Sequence, residues 1–238
     1  MNPETLDQAF EALKTYDWGA DRNALNPIDE AVLATREIAE ARAALETRLA
    51  AVLATDVSRD AKDVVCRWLM VVGTAACVPA LAALLTDEQL AHMARYALER
   101  IPDPAAAQAL REAIDRTGGN LRVGIIGSLG ARQDAASVPG LVSLLGNDDA
   151  AVACSAIAAL GVIRTPEAVQ ALTQAQPASP AAKCAVVDAL LACAEKLLAD
   201  GKRAEAMAVY RKFTGDEQPI HVRLAATQGL LACAGQTP

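Results

Sequence analysis

Aromatic side chains are scarce in this chain. Only seven of 238 residues are Phe, Trp or Tyr, although 53 % are hydrophobic, and alanine, with 54 copies, fills the gap. A core of Ala, Leu and Val with so few rings suits thin helices packed closely together. It does not suit a β-sandwich or barrel, whose strands favour β-branched and aromatic residues. Positive charge is also short: 22 Lys and Arg stand against 29 Asp and Glu, a net charge of −7. That balance argues against a nucleic-acid binder held by phosphate neutralisation. The six cysteines, at 66, 77, 154, 184, 193 and 233, form no C-x-x-C pair. They read as buried free thiols of a reducing compartment and not as a disulfide or zinc framework. Met1-Asn2-Pro3-Glu4-Thr5 offers neither a basic nor an apolar signal region, so the expected location is the cytoplasm. Trp68 to Leu85 runs for eighteen residues without a charge, the lower limit for a membrane span. Gly73 and Val78-Pro79 break that run into a helix–turn–helix, and charged copies of it recur downstream; no membrane is expected.

What the chain does have is a repeat. A leucine at the end of an apolar helical pattern returns at Leu69, Leu98, Leu129, Leu160, Leu190 and Leu230, with spacings of 29, 31, 31, 30 and 40. A second anchor follows twelve residues later at Leu81, Leu110, Leu141 and Leu172, with spacings of 29, 31 and 31. Each unit is a first helix, a short turn and a second helix of about ten residues. Pro102-Asp103-Pro104, Gln133-Asp134 and Thr165-Pro166-Glu167 mark the starts of second helices. Such a unit cannot bury its apolar face alone, so neighbours stack into a solenoid.

The segments Ile220–Leu230 (Ile-His-Val-Arg-Leu-Ala-Ala-Thr-Gln-Gly-Leu) and Ala151–Leu172 carry a pattern that resembles HEAT repeats. The whole chain is similar to alanine-rich bacterial HEAT-repeat proteins of the planctomycete type, on the segments Leu13–Gly19 and His92–Pro102. The resemblance implies an all-α fold, a right-handed α-solenoid of HEAT-like helix pairs, and specifies no activity. Residues 1–57 read as an N-terminal helical capping layer, with helices near 4–15 and 27–54 and a break near Ile38. This part holds 11 acidic and 5 basic residues, so most of the acidity lies here. Residues 58–179 read as four HEAT-like repeats. Residues 180–238 form a longer unit, in which Leu197–Tyr210 resembles a tetratricopeptide-type hairpin, followed by an unfinished last repeat. The uncovered apolar layer at Leu224, Leu230 and Leu231 predicts end-to-end self-association or continuation into a longer chain.

Several residues are of types that could carry chemistry. Of the six positions seven residues before a first anchor, two are Ala91 and Ala153 and four are basic, Lys62, Arg122, Lys183 and Arg223. As a stripe they would resemble a HEAT-type DNA glycosylase surface. In an electrically balanced repeat region they read as an inter-repeat ladder, with Asp87 and Asp149 as candidate partners. The acidic pairs Asp87-Glu88, Asp148-Asp149 and Asp216-Glu217 precede first helices and read as caps, not as general acid–base pairs. His92 and Cys66, in neighbouring repeats, are the one candidate nucleophile pair, and a cysteine at a core position is ordinarily inert. Gly124-Ile125-Ile126-Gly127-Ser128-Leu129-Gly130 has the wrong spacing for a phosphate loop and overlies a first helix. The Tyr16-Asp17-Trp18-Gly19 loop is a candidate recognition loop, through Tyr16 and Trp18, or a structural pin.

These readings point to a non-enzymatic scaffold that binds a partner peptide or helix on the concave face lined by second helices. It needs no cofactor and no metal. The outward positions there are Pro79, Ala82 and Ala83; Gln108, Arg111 and Glu112; Pro139, Val142 and Ser143; and Gln170, Thr173 and Gln174, of which Gln108, Arg111, Glu112, Ser143, Gln170 and Gln174 are the candidate contacts. The alternative is an enzyme-associated module resembling the HEAT-like chromophore lyases, with the glycosylase-like reading behind it.

Overall fold

The structure, a computed structural model, describes residues 3–35 and 37–235. Every regular element among them is helical, and the chain divides into two compact units, Met1–Arg132 and Gln133–Pro238. The fold is all-α, of the α-solenoid kind.

The first unit contains α1 (Pro3–Lys14), α2 (Asn26–Thr35), α3 (Ala39–Leu53), α4 (Arg59–Val72), α5 (Val78–Ala82), α6 (Ala91–Arg100), α7 (Pro104–Ile114) and α8 (Gly119–Ala131). α2, α4, α6 and α8 touch in succession as one layer, and α3, α5 and α7 do so as the other. Thus α2 and α3 form a helix pair in register with those that follow, and α1 lies against α2. Ile38 is the residue that opens α3, where the break was expected.

The caps explain where helices begin. Ser58 Oγ accepts from Ala61 N–H at 3.0 Å to start α4, and Asp103 accepts from Ala105 N–H at 2.8 Å to start α7. The charge-free run from Trp68 is broken where expected: α4 ends at Val72 and Gly73 turns the chain. No helix among the described residues is long and apolar enough to cross a membrane.

The second unit contains α9 (Val138–Ser143), α10 (Ala150–Ile163), α11 (Pro166–Gln174), α12 (Pro180–Ala199), α13 (Arg203–Tyr210) and α14 (Ile220–Cys233). α10, α12 and α14 form its first layer, with α9 and α11 packed together beside them and α13 against α12 and α14. Thr165 and Ser179 cap α11 and α12 through their hydroxyls, and Gly201, at φ +78°, closes α12.

The second helices depart from the expected ten residues in two places. α5 has 5 residues and α9 has 6, each preceded by a 3₁₀ turn, Ala75–Cys77 and Ala135–Ser137. Pro79 and Pro139 set this limit. Without an N–H, proline sits well only in a helix's first turn, so the α-helix cannot extend backward past it.

The repeat anchors form the core. Leu69, Leu81, Leu98, Leu110, Leu129, Leu141, Leu160 and Leu172 are all 0 % exposed. Each such burial contributes ~1.5–3 kcal/mol. Small residues set the helix spacing. A Cβ on Gly161 would lie 2.8 Å from the Ala189 Cβ, so glycine is what lets α10 and α12 meet.

Candidate interaction surface

The candidate contacts lie on the outward faces of the short second helices, and the burial pattern shows why. In the first unit α7 turns Ala106, Ala107, Ala109, Leu110, Ala113 and Ile114 inward. That leaves Gln108, Arg111 and Glu112 on the opposite face, the first and last exposed and Arg111 half-buried. These three are joined. Gln108 Nε2 donates to Glu112 Oε1 at 2.7 Å, and an Arg111 guanidinium N–H donates to Gln108 Oε1 at 2.6 Å. The spacing of i, i+3 and i+4 places them as neighbours on one face. On α5, Pro79 and Ala83 are exposed and Ala82 is half-buried.

In the second unit α9 buries Val138 and Leu141, and α11 buries Ala168 and Leu172. Pro139, Ser143, Gln170, Thr173 and Gln174 are exposed and Val142 is half-buried. Ser143 Oγ donates to Gly140 O in its own helix at 2.7 Å. The amides of Gln170 and Gln174 have no protein partner among the described residues, and each can both donate and accept. The two parts of the strip belong to different units.

Beneath the surface in the first unit, a polar scaffold fixes the turns. Glu46, on α3 and 1 % exposed, accepts from Thr74 N–H at 2.7 Å, Thr74 O–H at 2.8 Å and Cys77 N–H at 3.0 Å. One turn earlier on the same helix, Arg42 donates to Val72 O at 2.7 Å and Gly73 O at 2.9 Å. The two side chains grip the turn between α4 and α5 from both sides. Cation meets the negative helix end and carboxylate meets the free N–H groups. Arg132 does the same for the end of α6, donating to the carbonyls of Leu98 and Ile101. None of these was picked out in the sequence, because each partner lies about thirty residues away, and Arg42 and Glu46 look like an ordinary exposed helix pair.

The expected ladder holds at one of its positions. Arg122 Nε donates to Ile114 O at 3.0 Å, tying α8 to the end of α7. Lys62 and Lys183 make no inter-repeat hydrogen bond among the described residues, and Arg223 pairs with Asp216 in the loop before its own helix. Asp87 and Asp149 are caps instead of ladder partners: Asp87 accepts from the Gln89 and Leu90 N–H groups and Asp149 from Ala151 N–H.

Nor do His92 and Cys66 form a nucleophile pair. His92 lies against Arg95, 2.9 Å from its guanidinium, with its ring centroid 4.8 Å from that of Tyr96. Cys66 is fully buried, and burial, helped by the Asp63 charge, pushes its thiol up to about 12. Burial and a hydrogen bond to Glu46 push Cys77 to about 12 as well, and burial raises Cys193. At neutral pH these are inert thiols, not thiolates.

Of the glycines in the 124–130 segment, Gly124 serves packing, whereas Gly127 borders open space. A Cβ on Gly124 would lie 2.8 Å from Arg95 Nε. Ser128, buried, donates to Glu99 Oε1 at 2.6 Å and accepts from Arg95 at 3.2 Å, which makes a polar seam between α6 and α8. In the Tyr16–Gly19 loop, Tyr16 is half-buried and its carbonyl accepts from Ser58 Oγ at 2.5 Å, whereas Trp18 is 88 % exposed. One residue of the loop pins it and the other stands in water.

Two cavities are mainly apolar and offer little for chemistry. One of about 330 Å³ is lined by Phe10, Leu13, Ala51 and Val52, with Lys14 and Asp56 beside them. Another, of about 250 Å³, lies between α12 and the start of α14 and is lined by Cys184, Asp188 and His221 among others. Among the described residues no group of His, Cys, Asp and Glu is placed to hold a metal ion.

This architecture is that of a helical repeat protein. Residues 118–191 match the HEAT repeats family, and residues 90–116 match the PBS lyase HEAT-like repeat. The two matches support a HEAT-repeat protein over the middle of the chain. No curated protein matches significantly. Among solved structures, the chain is similar to an engineered protein at 17 % identity and TM-score 0.43, over 89 % of this chain and 98 % of that one. It is similar to a second engineered protein at 19 % identity and TM-score 0.44, over 100 % of this chain and 69 % of that one. A designed armadillo repeat protein in complex with the peptide (KR)4 aligns at 18 % identity and TM-score 0.35, over 97 % and 98 % of the two chains.

Proposed function

We propose that the chain is a non-enzymatic scaffold of the cytoplasm that binds an extended peptide or a helix of another protein along its second helices. The observation that supports this most directly is the pair of exposed amides, Gln170 and Gln174, one helical turn apart and without protein partners. An amide that donates and accepts can satisfy the backbone N–H and C=O of an incoming chain. In the other unit, the hydrogen-bonded group of Gln108, Arg111 and Glu112 is a charged contact of its own, ordered before binding.

The second reading, a chromophore-lyase type module, draws on the match of residues 90–116. Phe10 is the only Phe, Tyr or Trp lining the two cavities described above, which favours a peptide over a conjugated pigment. The test is selection from a displayed random-peptide library, followed by titration of the selected peptide against Gln170→Ala/Gln174→Ala and Gln108→Ala variants. The reading expects affinity to fall about tenfold, ~1.4 kcal/mol, at unchanged melting temperature. Unchanged affinity in both variants would overturn it, as would stoichiometric binding of a bilin with a shifted absorbance band.

A further inference from the structure

We infer that the outward face of α14 docks the acidic N-terminal layer of a second copy of this chain. The eight exposed residues of α14 are Ile220, His221, Leu224, Ala225, Thr227, Gln228, Leu231 and Ala232. None is acidic, Lys or Arg. Ile220 is 68 %, Leu224 57 % and Leu231 36 % exposed, and with Thr227 they form one stripe along the helix. A helix face meant for water carries charge. This one has the composition of α10, the first helix two positions earlier in the unit, whose Val152, Ala156, Ile157 and Leu160 are buried. An exposed aliphatic stripe of this kind is an association surface.

The charges around that face decide what covers it. Residues 201–235 hold five basic and three acidic residues. Arg203 on α13, Arg211 and Lys212 in the turn after it, and Lys202 just before α13 are all exposed, and α13 and that turn pack against α14. Two copies meeting symmetrically through α14 would bring these basic rims together. The chain's acid surplus lies in residues 1–57, with 11 acidic against 5 basic residues. There, too, large apolar groups stand in water: Leu33 on α2 at 73 %, Ile38 at 57 % and Trp18 at 88 %. Exposed Glu30 stands three residues before Leu33 on α2, and exposed Glu37 and Glu40 flank Ile38. Apolar meets apolar and basic rim meets acidic rim only when the α14 face of one copy receives the α2 face of another. The contact is therefore heterologous and not isologous. It uses surfaces separate from the peptide-binding strip, so either reading can fail alone.

The experiment is sedimentation velocity on the full chain, at low and high salt, with Leu33→Lys and Leu224→Glu. Both replaced side chains lie in water, and circular dichroism melts check that the variants stay folded. The expected result is self-association of the wild type that grows with concentration and weakens with salt. Each variant alone sediments as a monomer. An equimolar mixture of the two regains association and doubles the mass, because each supplies the face the other lacks. A Leu33→Lys protein that still dimerises like the wild type would establish a symmetric α14 contact and overturn the proposal. So would a wild type that stays monomeric at every concentration, or a mixture that fails to associate.

Discussion

Glu46→Ala tests the claim that a buried side chain from one helix pair orders the turn of the next. The carboxylate accepts three hydrogen bonds, from Thr74 N–H, Thr74 O–H and Cys77 N–H. Alanine would leave the Cys77 N–H, in a fully buried residue, without its acceptor. An unsatisfied buried donor costs ~1–3 kcal/mol, and each charge-assisted bond is worth ~1.5–3 kcal/mol. Relief of the carboxylate's own desolvation offsets part of this. The expected net loss is about 3 kcal/mol, a fall in Tm of roughly 6–12 °C for a chain of this length. Glu46→Gln keeps one acceptor oxygen at the same reach and should lose about half as much, ~1–2 kcal/mol. Urea denaturation followed by circular dichroism gives the free energies. Amide exchange at Thr74 and Cys77 gives the local effect, with protection falling on the order of a hundredfold in the alanine variant. An alanine variant within about 0.5 kcal/mol of wild type, or a glutamine variant worse than alanine, would refute the reasoning.

Gly161→Val should destabilise by ~1–3 kcal/mol through overpacking against Ala189, and Ala189→Gly in the same chain should return at least half of that loss in a double-mutant cycle. The buried thiols make stability depend on pH in the alkaline range. With Cys66 and Cys77 raised to about 12 in the fold, the unfolded chain releases their protons first as pH rises past the ordinary thiol value. Their contribution is complete below pH ~8 and is lost above ~9 at roughly 1.4 kcal/mol per pH unit for each thiol. Urea midpoints at neutral and alkaline pH should show a shallower loss in Cys66→Ala, and an unchanged slope would count against the assignment. Arg122→Ala should lower stability by about 1 kcal/mol, through the lost bond to Ile114 O, while leaving the affinity of a selected peptide unchanged. Collapse of that affinity at unchanged Tm would make Arg122 a binding residue.

Much of this architecture is local and therefore written in the order of residues. The leucine anchors recur because a helix pair needs one apolar stripe per helix, and that stripe shows as a spacing whatever its neighbours are. The starts of α7 and α11 were readable because Asp103 and Thr165 bond to N–H groups two or three residues away. The break at Ile38 and the turn at Gly73 belong to the same class. The candidate strip followed from helical periodicity, which fixes the face opposite a buried Leu110 or Leu172 without reference to anything distant. What sequence could not supply was every contact between repeats. Glu46 reaches Cys77 across 31 positions, and Arg132 reaches Leu98 across 34. Nothing in the neighbourhood of either residue records such a partner. The same holds for Arg122 against Lys62 and Lys183: the three share a repeat position, yet only Arg122 bonds to the end of the preceding helix. Whether Trp18 pins its loop or stands in water was likewise a tertiary matter, since only the packed chain shows that no apolar surface comes to meet it. Local hydrogen bonds and periodic burial act over a few residues and can be read in order. Pairings between helices depend on which surfaces the stack brings within 3 Å, and only the tertiary structure decides that.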